Sequence, residues 1–360
     1  MLSVVSLFAG AGGLDLGLES TRAFRSVACI DSDEDCINTL KTNKLRGLTS
    51  HAHDFLRDAT IVKRDLTKAA IALRGVTREP VDVVVGGPPC QAFSVLGKRR
   101  GTEDSRGGLV FSYMDAVAYL RPRAFVFENV PGFMSIDQGR TFAGVLQRAE
   151  VMGYECWWGK LCAADYGDPT IRTRFFLIGV IDPQVPLQAP PATHGLRNDT
   201  LSSEQDAQSS VEGGSPQQVL PYQTVSGALA GLENPGPDRP TLNAHVAINH
   251  RRSTVERFSR LRPGERDVAR RRNRLRLDSP ALTLFAGGIK GKKQARTHIH
   301  PVFPRELTPR ECARLHSFPD YWEFQGAYDI ALTQVANSVP LNLGAAMGRL
   351  VAAACSREHR

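Results

Sequence analysis

A lone thiol, Cys90, stands in "GGPPCQAFS" (86–94), directly after the apolar run "VDVVV". The prolines at 88 and 89 fix φ and remove two backbone donors, so the chain approaching the sulfur is stiff. Four chemistries fit such a cysteine: a buried structural thiol, a metal ligand, a redox thiol and a nucleophile. A metal would need Cys or His partners nearby, and a redox couple a second cysteine. The seven cysteines form no C-x-x-C pair, and no metal is expected. A structural thiol and a nucleophile that must be aimed both stand on local chemistry.

Further groups give that thiol a reaction. "FVFENVPGF" (125–133) ends an apolar run in Glu128, where a partly desolvated carboxyl keeps its proton toward neutral pH and can donate it. In "IRTRFF" (171–176), Arg172 and Arg174 lie two apart and share one side of a strand. Such a pair can brace a carboxylate and bind a carbonyl oxygen. "FAGAGGLDLG" (8–17) adds a G-x-G-G turn that lets a ligand approach a helix N-terminus. Nicotinamide, flavin and S-adenosylmethionine sites all use such turns. The dinucleotide spacing G-x-G-x-x-G is not met, because residue 15 is Asp. Asp31, ending the next apolar run, suits a pair of ribose hydroxyls. A nicotinamide-dependent oxidoreductase would leave Cys90, Glu128 and the arginines without roles, and a non-catalytic DNA-binding regulator would have no need of them.

The elements that must hold these groups alternate. Strands are expected at 2–8, 25–31, 81–87, 123–130, 154–162 and 172–181, with helices between them, for example 33–44, 109–120 and 141–152. That order predicts an α/β fold with a mostly parallel, Rossmann-like sheet covered on both faces. After residue 182 the texture changes: 198–218 is polar and aperiodic and reads as an exposed loop. The net charge of +8 is concentrated, with 15 Lys+Arg against 4 Asp+Glu between His245 and His300. A basic excess confined to one segment is the footprint of a polyanion. Helical periodicity returns from 305 onward. The 360 residues parse into a catalytic and cofactor-binding domain at 1–183, a small irregular basic domain at 184–300, and a segment at 301–360 returning to the first domain. The cysteine usage favours a reducing, cytoplasmic setting. No apolar stretch approaches the roughly 18 residues of a membrane span.

Six blocks now share one resemblance: "SLFAGAGGLDLGLE", "GGPPCQAFS" running into "GKRRGTEDSRGGL", "FENVPGF", "DYGDPTIRTRFFLIG", "RELTPRECARLHSFPD" and "QVANSVPLNLG". In this order the chain resembles a C5-cytosine-specific DNA methyltransferase of the bacterial restriction-modification type. They cover nearly all of 1–182 and 305–345, and the basic segment falls where that family keeps its target-recognition domain. The resemblance implies methyl transfer from S-adenosylmethionine to C5 of a flipped cytosine in duplex DNA, releasing S-adenosylhomocysteine. It makes Cys90 the nucleophile at C6 and Glu128 the group on N3. Arg174 would hold the cytosine O2, Arg172 brace Glu128, and Asn129 contact the base or hold its turn. Phe8, Gly10, Gly12 and Leu14 would form the cofactor pocket, with Asp31 on the ribose and Asp54 and Phe55 near the adenine. Asn337 and Ser338 would return to the same pocket; here Ala336 replaces the glycine usual before that Asn. DNA contacts are implied for Gln91, Ser94, Lys98, Arg99, Arg100 and Arg106 in a closing loop. Arg271, Arg272, Arg274, Thr283, Lys290, Lys292 and Lys293 would add contacts from the recognition domain. "RELTPREC" would organise the two domains against each other. A partner restriction endonuclease or other defence partner, a monomeric state and bacterial origin complete the implication. The alternative on the same fold is a tRNA cytosine-5 methyltransferase, whose insert carries a Cys-Phe-Thr tripeptide that is absent here.

Overall fold

The computed structural model of the chain describes residues 1–50, 54–77, 79–89, 108–196, 219–235, 242–285 and 297–356. Its centre is a seven-stranded sheet whose strands are apolar on both sides. Val4, Val83, Val85, Val126 and Ile178 are buried in one layer, and Val5, Leu7, Val84, Phe125, Phe127 and Leu177 in the other. Such strands read as continuous hydrophobic runs because helices cover both faces.

The strands are β1 (Leu2–Leu7), β2 (Phe24–Asp31), β3 (Thr60–Lys63), β4 (Val83–Gly86), β5 (Ala124–Asn129), β6 (Glu155–Cys162) and β7 (Thr173–Val180). Their order across the sheet is β3-β2-β1-β4-β5-β7-β6. Pairs from β3 to β5 are parallel, and β7 runs antiparallel between β5 and β6. The expected strands lie within two residues of these bounds. β3 was not expected, since "TIVK" is a four-residue edge strand with no fully buried side chain. The linking helices include α1 (Gly13–Ser20), α2 (Glu34–Ser50), α3 (Leu109–Leu120) and α4 (Arg140–Val151).

Beyond the sheet, Ala281–Leu282 of the basic segment pairs in parallel with Thr170–Ile171, just before β7. Helix α5 (Arg252–Ser259) precedes a short hairpin, Arg266–Asp267 with Arg272–Asn273. The C-terminal helices are α6 (Pro309–Leu315), α7 (Tyr328–Asn337) and α8 (Leu341–Cys355). In "RELTPREC", Thr308 and Glu311 form a capping box on α6, and Arg305 grips Glu311 with two hydrogen bonds of 2.9 and 2.7 Å. The buried Arg310 donates to the carbonyls of Asn243, Pro319 and Trp322, tying the basic segment to the C-terminal one.

Helices α1 and α8 cross where both are glycine. A Cβ on Gly17 would lie 2.7 Å from the Leu341 carbonyl oxygen and 2.9 Å from the Gly344 carbonyl carbon, so the backbones touch. Tyr328–Cys355 does reach membrane-spanning length by composition, contrary to the expectation above. Its apolarity serves packing instead: two thirds of its most apolar window is buried, and Ser338–Pro340 divides it into α7 and α8. In an exposed helix Gly→Ala stabilises by about 0.5–1 kcal/mol. Here Gly17→Ala should destabilise by about 1–3 kcal/mol through overpacking, read as a lower thermal midpoint.

Candidate active site

β1 and β4 are parallel neighbours, but β1 leads to β2 on one side whereas β4 leads to β5 on the other. Their C-terminal ends therefore open on a crevice, the place where open α/β sheets bind ligands. The turn leaving β1 holds Phe8, Gly10 and Gly12 at φ of 54°, 83° for Gly12 and 56° for Gly10, all left-handed. For Phe8 that conformation costs about 1–3 kcal/mol, a strain typical of functional loops. A Cβ on Gly10 would meet nothing within 4 Å, so open space borders this backbone. Asp31, at the end of β2, accepts the Gly10 N–H and the Asp33 N–H, each at 2.8 Å. Burial lifts its carboxyl above the ordinary aspartate range, against the pull of those N–H donors. Each oxygen keeps a further lone pair for a hydroxyl.

The other wall of this turn comes from the C-terminus. A Cβ on Gly13 would sit 2.5 Å from the Val339 carbonyl oxygen and 3.0 Å from Ser338 Cβ. The Trp322 indole N–H donates to the Ala11 carbonyl at 3.2 Å. Ser338 is buried beside the turn, whereas Asn337 is exposed at the end of α7. Leu14 is buried in the apolar layer with Val4 and Leu343, so its side chain serves the core.

One strand beyond β4, Glu128 of β5 pairs with Arg174 of β7, with Arg174 Nε 2.9 Å from Glu128 Oε1. Their side chains are 11% and 10% exposed, so the pair is largely out of water. Burial raises the Glu128 carboxyl above the ordinary glutamate range; Arg174 and then Arg172 oppose the rise without cancelling it. Glycine at 87 makes room, because a Cβ there would lie 2.5 Å from Glu128 Oε2. Asn129 Nδ2 donates to the Pro88 carbonyl at 3.0 Å, and its Oδ1 accepts the Val130 N–H at 2.9 Å. The approach to Cys90 is thereby fastened to the strand that carries Glu128.

The arginine pair divides its work differently from the expectation. Arg172 does not hydrogen-bond Glu128: it is fully buried and donates to the Leu284 carbonyl at 3.0 Å and to the Ala336 carbonyl. Arg174 lies in β7 one residue beyond the last β5–β7 pair, Asn129 with Phe175, whereas Arg172 precedes the strand. Burial, then the Arg174 charge, drives the Arg172 pKa well down.

Asp54 is exposed and pairs with Arg57, and Phe55 packs against the cluster of Leu40, Leu56 and Ala59. Leu56 N–H bonds Glu19 at the far end of α1, so this stretch lies at the opposite end of the strands from Gly10. The acid at the crevice end of β3 is instead Asp65, exposed and accepting the Thr67 N–H at 2.9 Å. Arg274 is buried and donates to the carbonyls of Pro301, Phe258, Leu261 and Val302, so its donors tie the basic segment to the C-terminal one. Arg272 turns to Glu306, whereas Arg271 is exposed at φ 54°. The Thr283 hydroxyl donates to the Ile171 carbonyl at 2.7 Å. Cys90, Gln91, Ser94, Lys98, Arg99, Arg100, Arg106, Lys290, Lys292, Lys293 and the 198–218 loop lie outside the described residues.

The family model for C-5 cytosine-specific DNA methylase matches residues 2–352. Type II methyltransferase M.XorII of Xanthomonas oryzae is 33% identical, over 96% of this chain and 83% of its own length. Type II methyltransferase M.Sau96I of Staphylococcus aureus is 31% identical, over 96% and 75%. Among solved structures, a candidate DNA modification methyltransferase encoded within an E. coli prophage superposes with a TM-score of 0.73 at 25% identity, over 97% of this chain and 98% of that one.

Arg274→Ala should cost more than about 3 kcal/mol, because several carbonyls lose one charged donor. Arg271→Ala should change stability by less than about 0.5 kcal/mol. Denaturant unfolding of both variants checks this assignment of buried and exposed arginines.

Proposed function

We propose how this chain works from the premise that it belongs to the C-5 cytosine-specific DNA methylase family. It is a DNA (cytosine-5-)-methyltransferase. The observation that carries the residue assignments is the buried Glu128–Arg174 pair beside the Pro88 carbonyl, across the crevice from the open turn at Gly10.

The residues present fit S-adenosylmethionine. The space beside Gly10 admits a ligand against the backbone, and Asp31 is held with lone pairs free for two ribose hydroxyls. Phe8, Gly12 and Ser338 complete that pocket, and Asp65 replaces Asp54 as the acid at its far end. When bound, S-adenosylmethionine supplies an electrophilic methyl group and leaves as S-adenosylhomocysteine.

The chain's own residues make cytosine C5 able to accept that methyl. The Cys90 thiolate adds to C6, which turns C5 into an enamine-like nucleophile. Glu128, kept protonated to higher pH by burial, donates to N3 as charge develops on the ring. Arg174 holds the carboxyl in place and offers its remaining N–H groups to O2. Asn129 aims the Cys90 segment through Pro88. Water then takes the C5 proton, whose electron pair re-forms the C5–C6 double bond and expels the Cys90 thiolate, and N3 returns its proton to Glu128. The base leaves the duplex first, at a cost of about a few kcal/mol.

The exposed Arg271, the Thr283 turn and the basic residues of 91–106 and 290–293 contact the DNA, chiefly at phosphates. The domain division at 183 and 300, monomeric action in the bacterial cytoplasm and a cognate restriction endonuclease belong to the same reading, in keeping with Type II relatives.

Cys90→Ser should abolish turnover while retaining DNA and cofactor binding, since a hydroxyl is a far weaker nucleophile at neutral pH. Labelled methyl transfer to duplex DNA and to tRNA measures this; activity on tRNA alone would overturn the substrate. Wild-type kcat should be bell-shaped in pH. It should rise as the thiol ionises and fall as pH climbs through the raised Glu128 value, because the donor must be protonated. Glu128→Gln should lose about 10²- to 10⁴-fold in kcat and lack the alkaline fall.

A further inference from the structure

Just ahead of the arginine pair, "YGDPT" places a carboxylate where water does not reach: Asp168 is fully buried. Its Oδ1 accepts the Asn342 N–H at 3.2 Å and its Oδ2 the Leu343 N–H at 2.9 Å. The Ser317 hydroxyl bonds the same carboxylate. These are first-turn N–H groups of α8, which has no cap of its own, because the residue before it is Pro340. Asp168 therefore caps, across 175 positions of chain, the helix whose glycines touch α1. The neighbouring Asn342 side chain returns the contact, donating to the Gly167 carbonyl at 3.0 Å.

The six residues after Asp168 fasten everything else at this junction. The Pro169 carbonyl accepts the Ala281 N–H, and Thr170–Ile171 pairs with Ala281–Leu282. Arg172 holds Leu284 on one side and Ala336 on the other, and Arg174 pairs with Glu128. Between Ala336 and the capped turn lies Ser338, packed against Gly13 of the turn after β1. The strap 168–174 is thus pinned at its start to α8 and in its middle to the end of α7.

We infer that Asp168 is a positioning residue, which sets the register of Arg172 and Arg174, and through them Glu128, against the C-terminal segment that walls the methyl-donor turn. This rests on the roles given above to Glu128 and Arg174. A carboxyl group suits the task because its two oxygens accept two backbone N–H groups at once. An amide at the same place accepts only through one oxygen, and its NH₂ would face a backbone donor.

The test is steady-state methyl transfer to duplex DNA by the full chain, with thermal melting alongside. Asp168→Asn should lower kcat about tenfold to hundredfold, the scale expected when reacting groups shift by up to an ångström. Both KM values should stay within about twofold, as for an interaction felt in the transition state. Asp168→Ala should lose more than Asp168→Asn. If Asp168→Asn lowers only the melting temperature, or raises both KM values at unchanged kcat, Asp168 is a helix cap alone and the inference fails. Should neither variant fold, Ser317→Ala removes one donor to the same carboxylate and must show a smaller loss of kcat; no loss overturns the inference. Wild-type chain that transfers no methyl to any cytosine duplex would instead refute the reaction, so the two failures are separable.

Discussion

A carboxylate and a guanidinium taken out of water together govern the geometry of the crevice. Removing either charge from solvent costs several kcal/mol, and removing one partner alone costs about 3–5 kcal/mol. Glu128 and Arg174 must therefore meet, and they come from adjacent antiparallel strands, β5 and β7. That requirement fixes the register of the sheet's far half, and glycine at 87 follows because any larger residue would strike the carboxylate. The same burial holds the Glu128 proton to higher pH, as the proposed acid requires.

Around that pair, three pieces of chain far apart in sequence are tied by hydrogen bonds to backbone groups. Arg172 spans Leu284 and Ala336, Asp168 caps α8, and Asn129 holds Pro88. The buried Arg172, serving two carbonyls, joins the basic segment and the C-terminal segment at one point. The donor turn after β1 and the Glu128 strand consequently share a frame, which reaction between two bound partners requires.

Much of this was legible in the sequence. Strands buried on both faces announce themselves as apolar runs, and Glu128, Asp31 and the glycine turn stand at their ends. Period two in "IRTR" told that two arginines share a face, but not which one reaches the carboxylate, since that depends on where β7 begins. β3 is a short, half-exposed edge strand that carries no pattern, so neither it nor the acid beyond it, Asp65, stands out in the sequence. Counting charge marked the basic segment but could not tell Arg271, in water, from Arg274, spent on four carbonyls. Asp168 showed no periodicity at all, and only the fold brings it to α8.

The most direct test uses a duplex with 5-fluorocytosine at the target position, incubated with the chain and S-adenosylmethionine. Fluorine at C5 cannot leave as a proton does, so attack by Cys90 should trap a covalent protein–DNA complex, with mass spectrometry locating the base on Cys90 and the methyl on C5. An unmodified Cys90 under conditions where ordinary cytosine in the same site is methylated would contradict the nucleophile and the mechanism built on it.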